Sequence, residues 1–148
     1  MAESVTMKAN RSVPSATVIP VLIYPDVRAA VAWLAAAFGF VEGVRTGEGH
    51  RAQFQVDDGA VIVGDVHGDR RAPLPDGASH SMMVRVEDID AHCAHAREHG
   101  ARIVTEPTDF EYGERQYTAT DLAGRRWTFS ETLADRAPED WGGESITP

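Results

Sequence analysis

The sequence predicts an α+β fold made of two copies of a βαβββ unit. Three observations point there. Residues 22–39 and 84–100 follow one plan: a short apolar strand, an Asp, a helical stretch and a closing Gly. Asp26 recurs as Asp88, Gly39 as Gly100 and Gly59 as Gly124, at offsets of 62, 61 and 65 residues. After each helical stretch come strand-length alternating segments separated by turn signals. A repeat of this length is longer than a solenoid module. It describes a duplicated sheet-plus-helix unit, two copies of which can enclose a cavity.

The elements follow in order. Residues 1–15 are polar and read as a flexible N-terminal tail. The first unit spans 16–66. Its first strand, 16–24, is rich in β-branched residues, and Asp26 is placed to cap the helix that follows. Val27, Val31, Leu34 and Phe38 share one helical face, and Gly39 ends the helix. Strands are expected at 41–46, 51–56 and 60–66, the last two joined at Asp57-Asp58-Gly59. Residues 67–79 carry His67-Gly68-Asp69, two prolines and Asp76-Gly77, the composition of a linker. The second unit spans 80–133. It begins with a strand at 81–86, after which Asp88 caps a helix that buries Ile89, Cys93 and Ala96 and stops at Gly100. A strand from Ala101 to Val104 ends at Pro107. A hairpin of 115–120 and 125–131 turns at Asp121-Leu122-Ala123-Gly124. Residues 134–148 read as a C-terminal tail.

Composition narrows the function. With 43% hydrophobic residues in 148, the chain can bury a core. No apolar run is long enough to span a bilayer, and the N-terminus lacks the basic start and apolar core of a signal peptide. The single cysteine, Cys93, rules out an internal disulfide and suits a reducing cytoplasm. The net charge of −9 argues against nucleic acid as a partner and favours neutral or cationic ligands. The remaining candidates read as ordinary structure. His92, His95 and His99 form a stripe on the second helix, expected to face solvent. Cys93 reads as a small buried hydrophobe. The stretch Phe110 to Tyr117 stands out: Tyr112 and Tyr117 suit stacking on a planar ligand, and Glu111 or Glu114 suits a cation.

The paired units, the Asp-capped helices and the closing Asp121-x-x-Gly124-x-x-Trp127-x-Phe129 resemble the glyoxalase/bleomycin-resistance/extradiol-dioxygenase superfamily, also called vicinal oxygen chelate. The likeness covers about residues 16–133. Ile19-Pro20, Ala30 to Phe40, Glu111-Tyr112-Gly113 and Gly124 to Ser130 resemble its glyoxalase-like (PhnB-like) branch. The resemblance implies that catalytic members hold one divalent metal from the first and last strands of each copy. Counted from the capping Asp and the hairpin Gly, those positions are Ile19, Val63, Ser81 and Thr128, and none is a strong metal ligand. His80 and Asp65 are the nearest alternatives and require both strand registers to slip.

The expectation is therefore a protein without metal or cofactor and without catalytic residues. It binds a small organic ligand of the kind sequestered in antibiotic resistance, and it forms a homodimer. A metal-dependent glyoxalase-type lyase or isomerase is the alternative, and a non-catalytic partner or regulatory module is the third reading. With Thr128 facing the cavity, Trp127 and Phe129 pack on the helix side. The expected ligand-binding residues are Ile19, Val21, Ser81, Met83, Arg85, Tyr112, Arg115, Tyr117 and Thr128.

Overall fold

The computed structural model describes residues 8–47, 49–72 and 80–146. It divides into two compact units, Met1–Ala35 with Gly39–Ala72 and Ala36–Phe38 with Pro73–Pro148. The first contains β1 (Val21–Tyr24), α1 (Val27–Phe38) except its last three residues, which group with the second, β2 (Val41–Thr46), β3 (Arg51–Val56) and β4 (Gly59–Asp65). The second contains β5 (Met82–Arg85), α2 (Ile89–Glu98), β6 (Arg102–Asp109), β7 (Glu114–Thr120) and β8 (Arg126–Thr132). The sheets run β1-β4-β3-β2 and β5-β8-β7-β6, each with its first strand parallel to its last and the other pairs antiparallel. This is the expected α+β fold of two βαβββ units.

Local chemistry places both helices. Asp26 and Asp88 are extended N-caps whose carboxylates accept from the backbone N–H groups of Ala29 and Ala91. Gly39, at φ 79°, takes the left-handed conformation that ends α1. Gly100 ends α2 in a Schellman motif: Ala101 N–H donates to the Ala96 carbonyl and Gly100 N–H to that of Arg97.

Some boundaries differ from the sequence expectation. The first strand is only Val21–Tyr24, because pairing with β4 begins there. Pro107 does not end β6, which continues to Asp109. β6 lies at a sheet edge and is irregular between Ile103 and Thr105 and between Thr105 and Thr108, where a residue without an N–H is tolerated. Within the C-terminal stretch, Pro138–Trp141 forms a 3-10 turn. At the other end, the Gln53 amide donates to the carbonyls of Arg11 and Ser12, tying residues expected to be loose to β3.

Leu22, Tyr24, Phe54 and Val63 are buried in the first unit, and Ile89, Tyr117, Trp127 and Phe129 in the second. Phe38, in the last turn of α1, meets Trp127 and Phe129 edge-on at centroid distances of 5.7 and 4.8 Å. Among the described residues no helix is long and apolar enough to cross a membrane.

Candidate functional site

Strand alternation gives the second sheet two unlike faces. Trp127 and Phe129 point to the α2 side and are fully buried. Between them, Thr128 takes the opposite face. It shares a row with its register partners Met83 and Thr118, and the two threonine hydroxyls hydrogen bond at 2.9 Å. The next row is Arg85, Ser130 and Gln116. The Arg85 guanidinium donates to the Thr132 hydroxyl at 3.2 Å. Met83 is 63% exposed, so a thioether stands open above a floor of hydroxyl and amide groups.

A directed hydrogen-bond chain crosses this face. The Tyr112 hydroxyl and the Gln116 side-chain oxygen are 3.3 Å apart, with Tyr112 donating. Gln116 in turn donates to the Ser130 hydroxyl at 3.0 Å, and Ser130 donates to a Glu114 carboxylate oxygen at 2.6 Å. Each side chain is oriented by the next, and the chain ends on a carboxylate that is partly open to solvent. Tyr112 stacks on Phe110 at 5.2 Å with an interplanar angle of 4°, and Trp141 meets Tyr112 edge-on at 6.0 Å. Trp141 thus lies against an aromatic ring of its own chain.

The expected site residues separate. Met83, Arg85 and Thr128 lie together on the open face, Tyr112 joins it through Gln116, and Ser81 is exposed just before β5. Ile19 and Val21 belong to the first unit, where Val21 pairs with Ile62. Arg115 and Tyr117 correct the expectation, since both point to the helix side. Arg115 pairs with Asp109 at 2.6 Å and with Asp90 in the first turn of α2 at 3.1 Å, and these charges keep its guanidinium protonated. Tyr117, 1% exposed, stacks on Phe129 and donates to His92. Sequence reasoning passed over Gln116, Thr118 and Ser130. Pairing the two strands outward from the Asp121–Gly124 turn would have put all three beside Thr128.

His95 and His99 are exposed, as expected of the stripe, whereas His92 is half-buried, and each of the three rings bonds a backbone carbonyl. His92 Nε2–H donates to the Phe38 carbonyl at 3.4 Å, which leaves Nδ1 to accept from Tyr117 at 2.5 Å. His95 Nε2–H donates to Ala36 at 2.7 Å, and His99 Nδ1–H to the carbonyl of His95 at 2.9 Å. Two carbonyls at the C-terminal end of α1, which lack partners within a helix, are satisfied in this way. Burial holds the His92 pKa below its usual value, with the nearby His95 adding to the effect and the Phe38 carbonyl opposing it. As pH falls, the unfolded chain takes up this proton before the folded one does. The stability contributed by neutral His92 is therefore present above about pH 6.5 and lost below it. The melting temperature should fall between pH 7 and 5, and the fall should shrink in His92→Gln; an unchanged profile in the variant would refute the assignment. Cys93 is buried, as expected, and burial raises its thiol pKa.

One metal-ligand position shifts with the register. Val63 pairs with buried Leu22, whereas Ile62 pairs with Val21, just as Thr128 pairs with Met83. The glycines used for counting are not equivalent: Gly59 already pairs with Val56 in the strand, while Gly124 sits in the turn before Arg126. Ile19, Ile62, Ser81 and Thr128 then offer two aliphatic chains and two neutral hydroxyls, which do not fit a divalent cation. Among the described residues no group of three or more His, Cys, Asp or Glu side chains is arranged to hold a metal. The alternatives are engaged elsewhere. His80 Nε2 accepts from Arg125 at 2.9 Å, and Asp65 accepts from His50 and His67 at 2.7 and 3.0 Å.

The family model of the Glyoxalase/Bleomycin resistance protein/Dioxygenase superfamily matches residues 17–129, and the chain belongs to that family. Among solved structures it is similar to TioX from Micromonospora sp. ML1, at 31% identity over 78% of this chain and 97% of that one, with a TM-score of 0.66. A glyoxalase/bleomycin resistance protein/dioxygenase family enzyme from Burkholderia phytofirmans PsJN matches at 14% identity, 78% and 97% coverage and a TM-score of 0.65. The fosfomycin resistance protein FosX from Listeria monocytogenes matches at 14% identity, 80% and 93% coverage and a TM-score of 0.63. At 14% identity these last two show the fold alone. No curated protein matches the chain.

Proposed function

We propose that the chain is a metal-independent binding protein of the glyoxalase/bleomycin-resistance type. On this reading it captures a small organic compound on the open face of its second sheet and leaves it unchanged. The observation that carries the reading is the residue set of that face. Of the positions where the family holds a divalent cation, the two in this unit are Ser81 and Thr128, and Thr128 stands in a row with Met83 and Thr118. Beside them, Arg85, Gln116 and Glu114 provide a few fixed polar handles, and Tyr112 provides a flat apolar surface. An apolar surface with few oriented polar groups suits an organic ligand. The one serine held by a carboxylate, Ser130, is only 2% exposed, so its hydroxyl is closed to a substrate carbon. Glu114 and the net charge of −9 favour a cationic or neutral guest.

The test is a thermal-shift and calorimetric panel of planar, cationic antibiotics and dyes, run with and without a chelator. The expected result is saturable binding that raises the melting temperature, is unaffected by chelation and leaves the ligand chemically intact. Binding or turnover that requires an added divalent metal would refute the reading. Tyr112→Ala removes the stacking platform, worth about 1 kcal/mol, and affinity for the ligand found should fall roughly five- to tenfold.

A further inference from the structure

A cavity of about 290 Å³ lies in the first unit, between the first half of α1 and the adjoining ends of β2 and β3. Its apolar walls include Val27, Val31 and Ala52, and the guanidinium-bearing residues Arg28, Arg45 and Arg51 also line it. We propose that this cavity binds a small organic oxyanion, a phosphate or carboxylate carried on a single ring or short aliphatic body.

Three arginines around one cavity are unexpected in a chain of net charge −9. Arg45 is held by Glu42, with Nε and Nη2 donating to the two carboxylate oxygens at 2.8 and 2.6 Å. Arg28 and Arg51 make no side-chain ion pair among the described residues, so two of the three cations there are uncompensated within that set. The nearby acid Asp26 is engaged as the cap of α1, accepting from Ala29 N–H at 3.0 Å. The Arg28 side chain runs along the loop backbone. Gly49, at φ +81°, brings the loop backbone so close that a Cβ there would lie 3.1 Å from Arg28 Cγ and Nε. A guanidinium presents a planar pair of donors to an oxyanion.

The walls define the rest of the ligand. Val27, Val31, Ala32 and Ala52 give the lining an apolar part, and the three arginines give it a cationic one. The volume is at the lower end of the roughly 300–1,000 Å³ of small-molecule sites, which favours one ring over a nucleotide. The site is independent of the ligand face proposed above, since every lining residue belongs to the first unit.

The probe is phenyl phosphate, titrated calorimetrically into the full chain, with inorganic phosphate in parallel. Wild type should bind about one phenyl phosphate per chain, more tightly than inorganic phosphate, and the affinity should weaken with added salt. Arg28→Ala combined with Arg51→Ala should weaken binding at least about tenfold. Its melting temperature should stay close to wild type, because neither residue is buried. Arg28→Lys, which keeps the charge but loses the fork, should fall between. Absence of saturable binding to wild type, or equal binding by wild type and the double variant, would overturn the proposal.

Discussion

Trp127→Ala should destabilise the chain by about 3–5 kcal/mol, the range for emptying a large aromatic site in a packed core. In a chain of this size that lowers the melting temperature by roughly 10–20 °C. Trp127 is fully buried, meets the Phe38 ring edge-on and donates its indole N–H to Asp121 at 2.9 Å. The same buried carboxylate accepts from the backbone of Ala123 and Arg125, at 2.9 and 3.0 Å, and so holds the turn that sets the β7–β8 register. Removing the indole therefore opens a cavity and takes one donor from a carboxylate that also organises a hairpin. Trp127→Phe should cost less, because most of the volume stays and only the hydrogen bond is lost. Thr128→Ala, one residue on, should cost under about 1 kcal/mol, since its half-exposed hydroxyl faces the other way. Denaturation of the three variants by urea measures this order directly. A large loss for Thr128→Ala beside a small one for Trp127→Ala would mean the strand faces are reversed.

What the sequence made legible was mostly local. Asp26 and Asp88 cap helices and Gly39 and Gly100 close them, because an N-cap carboxylate and a left-handed glycine act within a few residues of their own position. The duplication was legible for the same reason: two copies of one local plan leave two copies of its punctuation. The opposite faces of Trp127 and Thr128 followed from strand alternation alone. Arg115 and Tyr117 defeat the reading because the alternation that fixes the faces of Trp127 and Thr128 has to be carried across to the paired 115–120 strand. Once Tyr117 pairs with Phe129, alternation sends it under α2. The displacement of Val63 by Ile62 has a similar origin. The Asp57–Asp58 turn is shorter than the Asp121–Arg125 turn, so counting from the two glycines shifts one register by a residue. The histidine stripe was harder still. Its spacing is visible in sequence, but its partners Ala36 and Phe38 are backbone carbonyls more than fifty positions away. The hold of Gln53 on Arg11 and Ser12 is equally non-local.

Gly113→Ala should be the most damaging single-methyl change in the second unit, costing about 2–5 kcal/mol. Gly113 sits at φ +89°, where a residue with a Cβ is strained by roughly 1–2 kcal/mol. The added Cβ would also lie 2.1 Å from the Ala134 carbonyl oxygen, a backbone atom with no flexible end to move aside. Relieving that overlap means shifting residues 133–134, whose N–H groups donate to the Gly113 carbonyl at 2.8 and 3.2 Å. Strain and overpacking add, the latter at about 1–3 kcal/mol. The consequence reaches the ligand face, because the displaced segment leads directly to Trp141, which meets the Tyr112 ring. Gly113→Ala should therefore lower the melting temperature and also make the chain beyond Leu133 more open to limited proteolysis. Gly124→Ala is the control: it has a similar φ of +82°, but nothing lies within 4 Å of its Cβ, so it should show the backbone penalty alone. If the two variants lose the same stability, the contact with Ala134 contributes nothing. If Gly113→Ala melts like wild type, the C-terminal segment is not clipped to this turn and Trp141 is free to leave Tyr112.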